Sequence, residues 1–193
     1  MIDNFNKIIN IMSFDDTNDF YFIQLIKRKK DNPDMKGDSA VIKDWYVSSV
    51  DYLLNKKDSM IEMANQYNAR LTIRVNKRNY KKLGLKMISD ITQKLESENY
   101  KGLKSSFSSV AGQYSSDSDK KWIVDIDSGD LENLEEIKTI INDSMPNIDK
   151  IICEIPSKSG IHLIVRPFDV REFKKLFKDI EIKKDNPTNL YIR

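Results

Sequence analysis

The chain has 193 residues, enough for one domain or for two small lobes on a shared core, and its 39% hydrophobic and 32% charged residues suit a soluble fold. No apolar stretch approaches the roughly 18 residues needed to cross a bilayer, and the first residues lack the basic-then-apolar order of a secretory signal, so no membrane partner and a cytoplasmic setting are expected. One cysteine, Cys153, precludes an internal disulfide and a cysteine-based zinc site, and a net charge of +2 argues neither for nor against nucleic acid.

In chain order, a short apolar-periodic piece and an Asn- and Asp-rich loop lead to residue 19. Residues 20–27 (Phe-Tyr-Phe-Ile-Gln-Leu-Ile-Lys) read as a buried strand that runs into the basic cluster Lys27, Arg28, Lys29 and Lys30. Asn32, Pro33 and Asp34 mark a turn, and 41–47 completes a hairpin with a long tip. A helix over 49–68, capped by Ser48 or Ser49, carries Val50, Leu53, Leu54, Met60, Ile61 and Ala64 on its apolar face. Residues 69–75 alternate Leu71, Ile73 and Val75 with Arg70, Thr72 and Arg74, and Lys77 and Arg78 lie just beyond. This is the ordinary pattern of an exposed sheet and equally that of a basic wall lining a cleft. Asn79 caps a helix reaching residue 98, whose Leu83, Leu85, Met87, Ile88, Ile91 and Leu95 read as core. Residues 105–119, rich in Ser, Gly and Asp, read as a mobile loop with one helical turn.

The clearest pattern follows. Residues 121–127 form a strand on which Trp122, Val124 and Ile126 share one face and Asp125 and Asp127 the other. Two neighbouring carboxylates on an otherwise apolar strand repel each other and lose hydration, so a cation belongs between them, and a divalent metal is the simplest choice. A helix over 131–144 stops before Pro146, strands at 150–155 and 161–167 flank the turn Pro156, Ser157, Lys158, Ser159 and Gly160, a helix spans 170–178, and strands at 180–183 and 189–192 close the chain.

Strand–helix–strand–strand–helix–strand is the ferredoxin-like or RNA-recognition-like plan, an α+β fold. It predicts an N-terminal α/β lobe over 1–120, carrying the basic strand 69–78, packed on an RNA-recognition-like lobe over 121–193. On such a sheet the strand of Asp125 and Asp127 lies beside the one opened by Gly160, Ile161 and His162, the chain's one histidine. The turn before His162 offers backbone amides, two hydroxyls and Lys158, a cradle for an anion. Carboxylates for metal beside donors for phosphate make the layout of two-metal nucleotidyl transfer. Each signal alone has a plainer reading: an Asp-x-Asp pair at a strand end, a packed histidine, a hairpin turn. Their conjunction on one topology is what carries weight.

Together these residues resemble the catalytic core of the archaeo-eukaryotic primase–polymerase superfamily, in the compact form found in phages and mobile elements. That family has an acid–hydrophobic–acid motif on the first strand, a small–x–His motif opening the third, and a further acid near the last strand. Val124, Asp125, Ile126 and Asp127 look like the first motif. Ser157, Lys158, Ser159, Gly160, Ile161 and His162 look like the second, with Gly160 where the short motif often has serine. Residues 69–78 look like a strand of the family's first lobe, and the likeness covers about 67–193.

The resemblance implies a DNA primase or polymerase that adds nucleotides to a primer or initiating nucleotide in replication. Asp125, Asp127 and a third acid, Asp185 in preference to Glu181, would be catalytic and hold Mg2+ or Mn2+. Ser157, Lys158, Ser159 and His162 would contact the phosphates of a nucleoside triphosphate. Arg70, Arg74, Lys77 and Arg78 are the candidates for backbone contacts with a DNA template, and with no helicase or helical priming segment attached, a replicative helicase is a further expected partner. Two readings compete with this one: a catalytically inactive nucleic-acid-binding accessory protein on the same fold, and an interaction domain whose acids are neutralised by Lys or Arg.

Overall fold

The computed structural model describes residues 1–115 and 118–193, arranged as two antiparallel sheets with six helices. The first part runs β1 (Ile2–Asp3), α1 (Phe5–Ile9), β2 (Asp19–Arg28), β3 (Ser39–Val47), α2 (Val50–Tyr67), β4 (Arg70–Arg74), β5 (Arg78–Asn79), α3 (Tyr80–Glu96) and α4 (Ser106–Gln113). The second runs β6 (Trp122–Asp127), α5 (Leu134–Asp143), β7 (Ile151–Pro156), β8 (Gly160–Val165), α6 (Val170–Leu176), β9 (Glu181–Lys183) and β10 (Pro187–Ile192). Local chemistry sets the boundaries. The Ser49 hydroxyl accepts the Tyr52 amide at 3.0 Å to start α2, and Asn68 ends it in the left-handed region at φ 46°. The Asn79 side chain accepts the amides of Lys81 and Lys82 to start α3.

Residues 106–113 differ from the loop expected over 105–119. A 3-10 turn (Tyr100–Ser105) leads into α4, whose Val110 and Ala111 are buried against Phe20, Phe22 and Leu83. The serines hid this helix: burial of Val110 and Ala111, with Phe107 packed beside them, against an aromatic sheet face outweighs the serines' weak propensity. Ser116 and Asp117, within the same expected loop, lie outside the described residues.

The first sheet has the order β1-β10-β4-β2-β3, with β5 beside β2, and the second has the order β7-β8-β6-β9. Strand β10 was expected with the lobe over 121–193. Instead it leaves the second sheet and pairs with β1 and β4 of the first. A single hydrophobic cluster joins the two sheets: Ile123, Ile155 and Ile164 of the second meet Ile23, Leu25, Leu71 and Ile73 of the first, with Leu53 and Met60 of α2. The far face of the second sheet (Val124, Ile126, Leu163, Val165) is covered by Ile137 and Ile141 of α5 and Phe173 of α6. Alternation along β6 thus sends Val124 and Ile126 under the helices, and Asp125 and Asp127 to the side turned toward the first sheet.

Candidate functional site

Strand β8 runs antiparallel to β6 in a register that sets His162 opposite Asp125 and Gly160 opposite Asp127. The close approach at that end requires glycine: a Cβ at residue 160 would stand 2.0 Å from the Ile126 carbonyl oxygen and 2.9 Å from the Asp127 Cα. His162 Nε2 lies 3.2 Å from Asp125 Oδ1. Its Nδ1 lies 2.7 Å from Thr188 Oγ1 on β10, so the ring is fixed from both sheets. Ser159 Oγ donates to Asp127 Oδ1 at 3.3 Å. Asp125, Asp127, Ser159 and His162, far apart in sequence, therefore form one group at the end of the seam between the sheets.

The cation on Asp125 is Lys183. Register places Lys183 of β9 opposite Ile123 and Glu181 opposite Asp125. The Lys183 ammonium donates to Asp125 Oδ2 and lies 3.2 Å from Glu181 Oε2. The hydrogen bond with His162 is the main reason that Asp125 sits well below the usual carboxylate range; burial opposes it and Lys183 adds to it. Burial works against the charge on Lys183, but Asp125 and Glu181 outweigh it and raise the ammonium above its ordinary value. Asp127, by contrast, is exposed.

Asp185 belongs to a different group. Its carboxylate accepts from Arg78 Nη2 at 2.8 Å and from Asn76 Nδ2 at 3.0 Å, and its backbone carbonyl accepts from Arg74. The acid that the strand register brings beside Asp125 is Glu181. The rest of the basic group is also engaged internally. Arg70 forms a two-pronged contact with Asp31 at 2.6 and 2.8 Å, Lys77 is bonded to Asp15 and lies 3.5 Å from Asp19, and Arg78 is 0% exposed. Burial, with Arg78 nearby, depresses the Arg74 guanidinium. These side chains brace the first sheet rather than line an open wall.

The turn before His162 closes on itself, with the Ser157 amide donating to the Gly160 carbonyl at 2.9 Å. Lys158, though 59% exposed, reaches Asp31 at 2.8 Å, so one carboxylate holds both Arg70 and Lys158. Arg70 is the main cause holding Asp31 well below the carboxylate range. Cys153 is no nucleophile at neutral pH, since burial pushes its thiol up to about 11.

Four residues that sequence reasoning did not single out shape this region: Lys183, Thr188, Asp31 and Asn76. Alternation in Glu181, Ile182 and Lys183 puts the two charged residues on the side of Asp125, a signal readable once the pairing of β9 with β6 is known. Nothing local marks Thr188, whose hydroxyl matters through a strand of the other sheet. None of the family models, curated proteins or solved structures compared with the chain matches it.

Proposed function

We propose that the chain is a metal-dependent nucleotidyltransferase of the primase–polymerase kind, extending a primer or initiating nucleotide on a DNA template. The observation that supports this reading best is the direct cross-strand pairing of Asp125 with His162, with Asp127 and Ser159 beside them at the open end of the seam. The sequence β6-α5-β7-β8-α6-β9 with sheet order β7-β8-β6-β9 supports a ferredoxin-like unit beneath that site.

The donor set suits Mg2+ or Mn2+. Asp125, Asp127 and Glu181 offer hard carboxylate oxygens, with Asp125 held ionised. Among the described residues no three such groups stand close enough for a protein-only cage. A magnesium ion in phosphoryl chemistry uses one or two carboxylates together with water and substrate phosphates, so Asp125 and Asp127 suffice as its anchor. Bound there, the ion would supply positive charge to phosphate oxygens. Lys183 is the cation of the site, neutralising Asp125 and Glu181 when no substrate is present. His162 has Nδ1 on Thr188 and Nε2 on Asp125, so its Nε2 would meet a phosphate oxygen only by exchanging Asp125 for it. Ser157, Lys158 and Ser159 form the adjacent anion cradle for the nucleoside triphosphate. The internal pairs of Arg70, Arg74, Lys77 and Arg78 weaken the template-contact role read for them.

Incorporation of labelled nucleotide on a primed or single-stranded template with Mn2+ or Mg2+ tests the reading. Asp125→Asn with Asp127→Asn abolishes it while the circular dichroism spectrum stays the same; incorporation that survives the double substitution sinks the assignment. One observation favours the accessory, non-catalytic reading: both Asp125 oxygens already have protein partners, Lys183 and His162. In that case the wild-type chain binds DNA with a salt-dependent affinity, yet incorporates nothing and takes up no Mn2+.

A further inference from the structure

Helix α3 has two apolar stripes. One, centred on Leu83 and Met87, packs on the aromatic face of the first sheet. The other is solvent-exposed: Leu85 is 71%, Ile88 65% and Leu95 46% accessible. With Lys81 and Thr92 they recur at intervals of four and three residues, within an arc of about 80° on the side away from the core. Along one flank of this stripe, at seven-residue spacing, stand Lys82, Ser89 and Glu96, all exposed. Lys82 and Glu96 have no ion pair among the described residues. Their neighbours differ: Lys86 covers the Tyr114 ring at 5.3 Å, and Lys94 is bonded to Asp90 at 2.7 Å.

The charge order of α3 is also inverted. Lys81, Lys82 and Lys86 crowd its first two turns, where the helix dipole disfavours cations; in its last turn Lys94 is taken up by Asp90, and Glu96 ends the helix with Glu98 just beyond, where the dipole disfavours anions. We propose that α3 is the contact through which two copies of this chain pair, antiparallel, about a two-fold axis near Asp90. That axis sets Leu85 against Leu95 of the other copy and Ile88 against Thr92. It brings Lys82 to Glu96 on both sides, and it lays each basic helix start on an acidic helix end. A parallel pair would gather the six lysines of the two helix starts at one end. The face is self-complementary, as an isologous interface must be.

A single pair of helices of this length makes a small interface, so the dimer dissociates with a constant on the order of 10 µM. Sedimentation equilibrium of the whole chain across that range reads it directly. Ile88→Glu, an exposed position, gives a monomer with an unchanged melting curve. Lys82→Glu and Glu96→Lys each weaken pairing alone, pair with one another when mixed, and restore self-association when combined. In a Cys153→Ala background, Ser89→Cys cross-links to itself under mild oxidation. Lys81→Cys does not, because antiparallel packing holds the two copies of residue 81 roughly 27 Å apart along the axis. A wild-type chain that stays monomeric at ten times the expected constant overturns the proposal. So does a dimer indifferent to Ile88→Glu, a mixture of the two charge variants that fails to pair, or cross-linking at residue 81 in place of 89.

Discussion

Strand β4, with its continuation to β5, and strand β6 are built alike, each alternating a buried aliphatic row with a charged one. Their charges end in opposite circumstances. On the first, three cations meet acids brought from elsewhere in the chain: Arg70 meets Asp31, Lys77 meets Asp15 and Asp19, and Arg78 meets Asp185, while Arg74 donates to the Asp185 backbone carbonyl. On the second, Asp125 is matched by a histidine and a lysine, and Asp127, with the Ser159 hydroxyl for company, faces solvent. A charge closed off by a fixed internal partner can only hold the fold, whereas one that keeps an open side can meet a ligand. On the proposed reading the acidic strand would be the chemical half of the molecule, and the basic strand its scaffold.

The sharpest way to break this contrast is Arg78→Met. The guanidinium is fully buried and donates to Asp185, to the Ala111 carbonyl at 2.8 Å and to the Asn76 carbonyl. Its removal strands several acceptors and should cost about 4 kcal/mol in a urea unfolding curve. Asp185→Asn keeps one acceptor and is partly hydrated, so it should cost about half as much. A Met variant as stable as the wild type would mean that Arg78 is free in solution, and the scaffold role would fall.

Asp31→Asn comes next. It removes the carboxylate shared by Arg70 and Lys158, with an expected loss of about 2 kcal/mol at neutral pH. The pH dependence adds a second signature. The carboxyl of Asp31 lies below its unfolded value because Arg70 favours the charged form. Its contribution is therefore complete above about pH 4 and drains away as the solution becomes more acidic than that. The Asn variant should lose part of the acid slope of stability below pH 4 and keep the remainder, since Asp125 is depressed in the same sense. An unaltered acid limb would show that the Asp31 pair does not form in solution.

The third test bears on the acidic strand. Lys183→Gln takes a positive charge from beside Asp125 and Glu181. If the ammonium and a divalent ion compete for those oxygens, Mn2+ should bind about tenfold more tightly to the variant, as read by the paramagnetic signal of free Mn2+. Equal or weaker binding would show that Lys183 guards no metal position, and would favour the accessory reading.

How much of this was legible beforehand follows from the range of the interactions. The strand of Asp125 and its place beside the strand carrying His162 were readable because alternation and helix spacing are local and the topology has few alternatives. Helix α4 was not, because its serines and glycine mask the buried Val110 and Ala111 and the half-buried Phe107. Nor was the return of β10 to the first sheet, which depends on pairing with strands more than a hundred residues earlier. The same limit explains the basic strand. Arg70 and Arg74 look alike in sequence to residues of an exposed wall, and only the arrival of Asp31 and of the Asp185 backbone decides otherwise. The third acid turned on a register: Glu181 and Asp185 are four residues apart, yet only the first faces Asp125 across β9 and β6.

The smallest expected effect belongs to Lys158, the residue in which the two halves of the comparison meet. It sits in the turn of the acidic sheet and bonds to the acid that also holds Arg70. Being largely exposed, its ion pair is of the kind worth little, so Lys158→Ala should lower stability by less than about 0.5 kcal/mol while Arg70 keeps its two contacts with Asp31. If the ammonium is the lid of the anion cradle, the same variant should raise the KM for nucleoside triphosphate several-fold with kcat nearly unchanged, the signature of lost ground-state binding. A KM that stays put with stability also unmoved would leave Lys158 as a solvated surface charge. The phosphate-binding role would then rest on His162 and the hydroxyls of Ser157 and Ser159 alone.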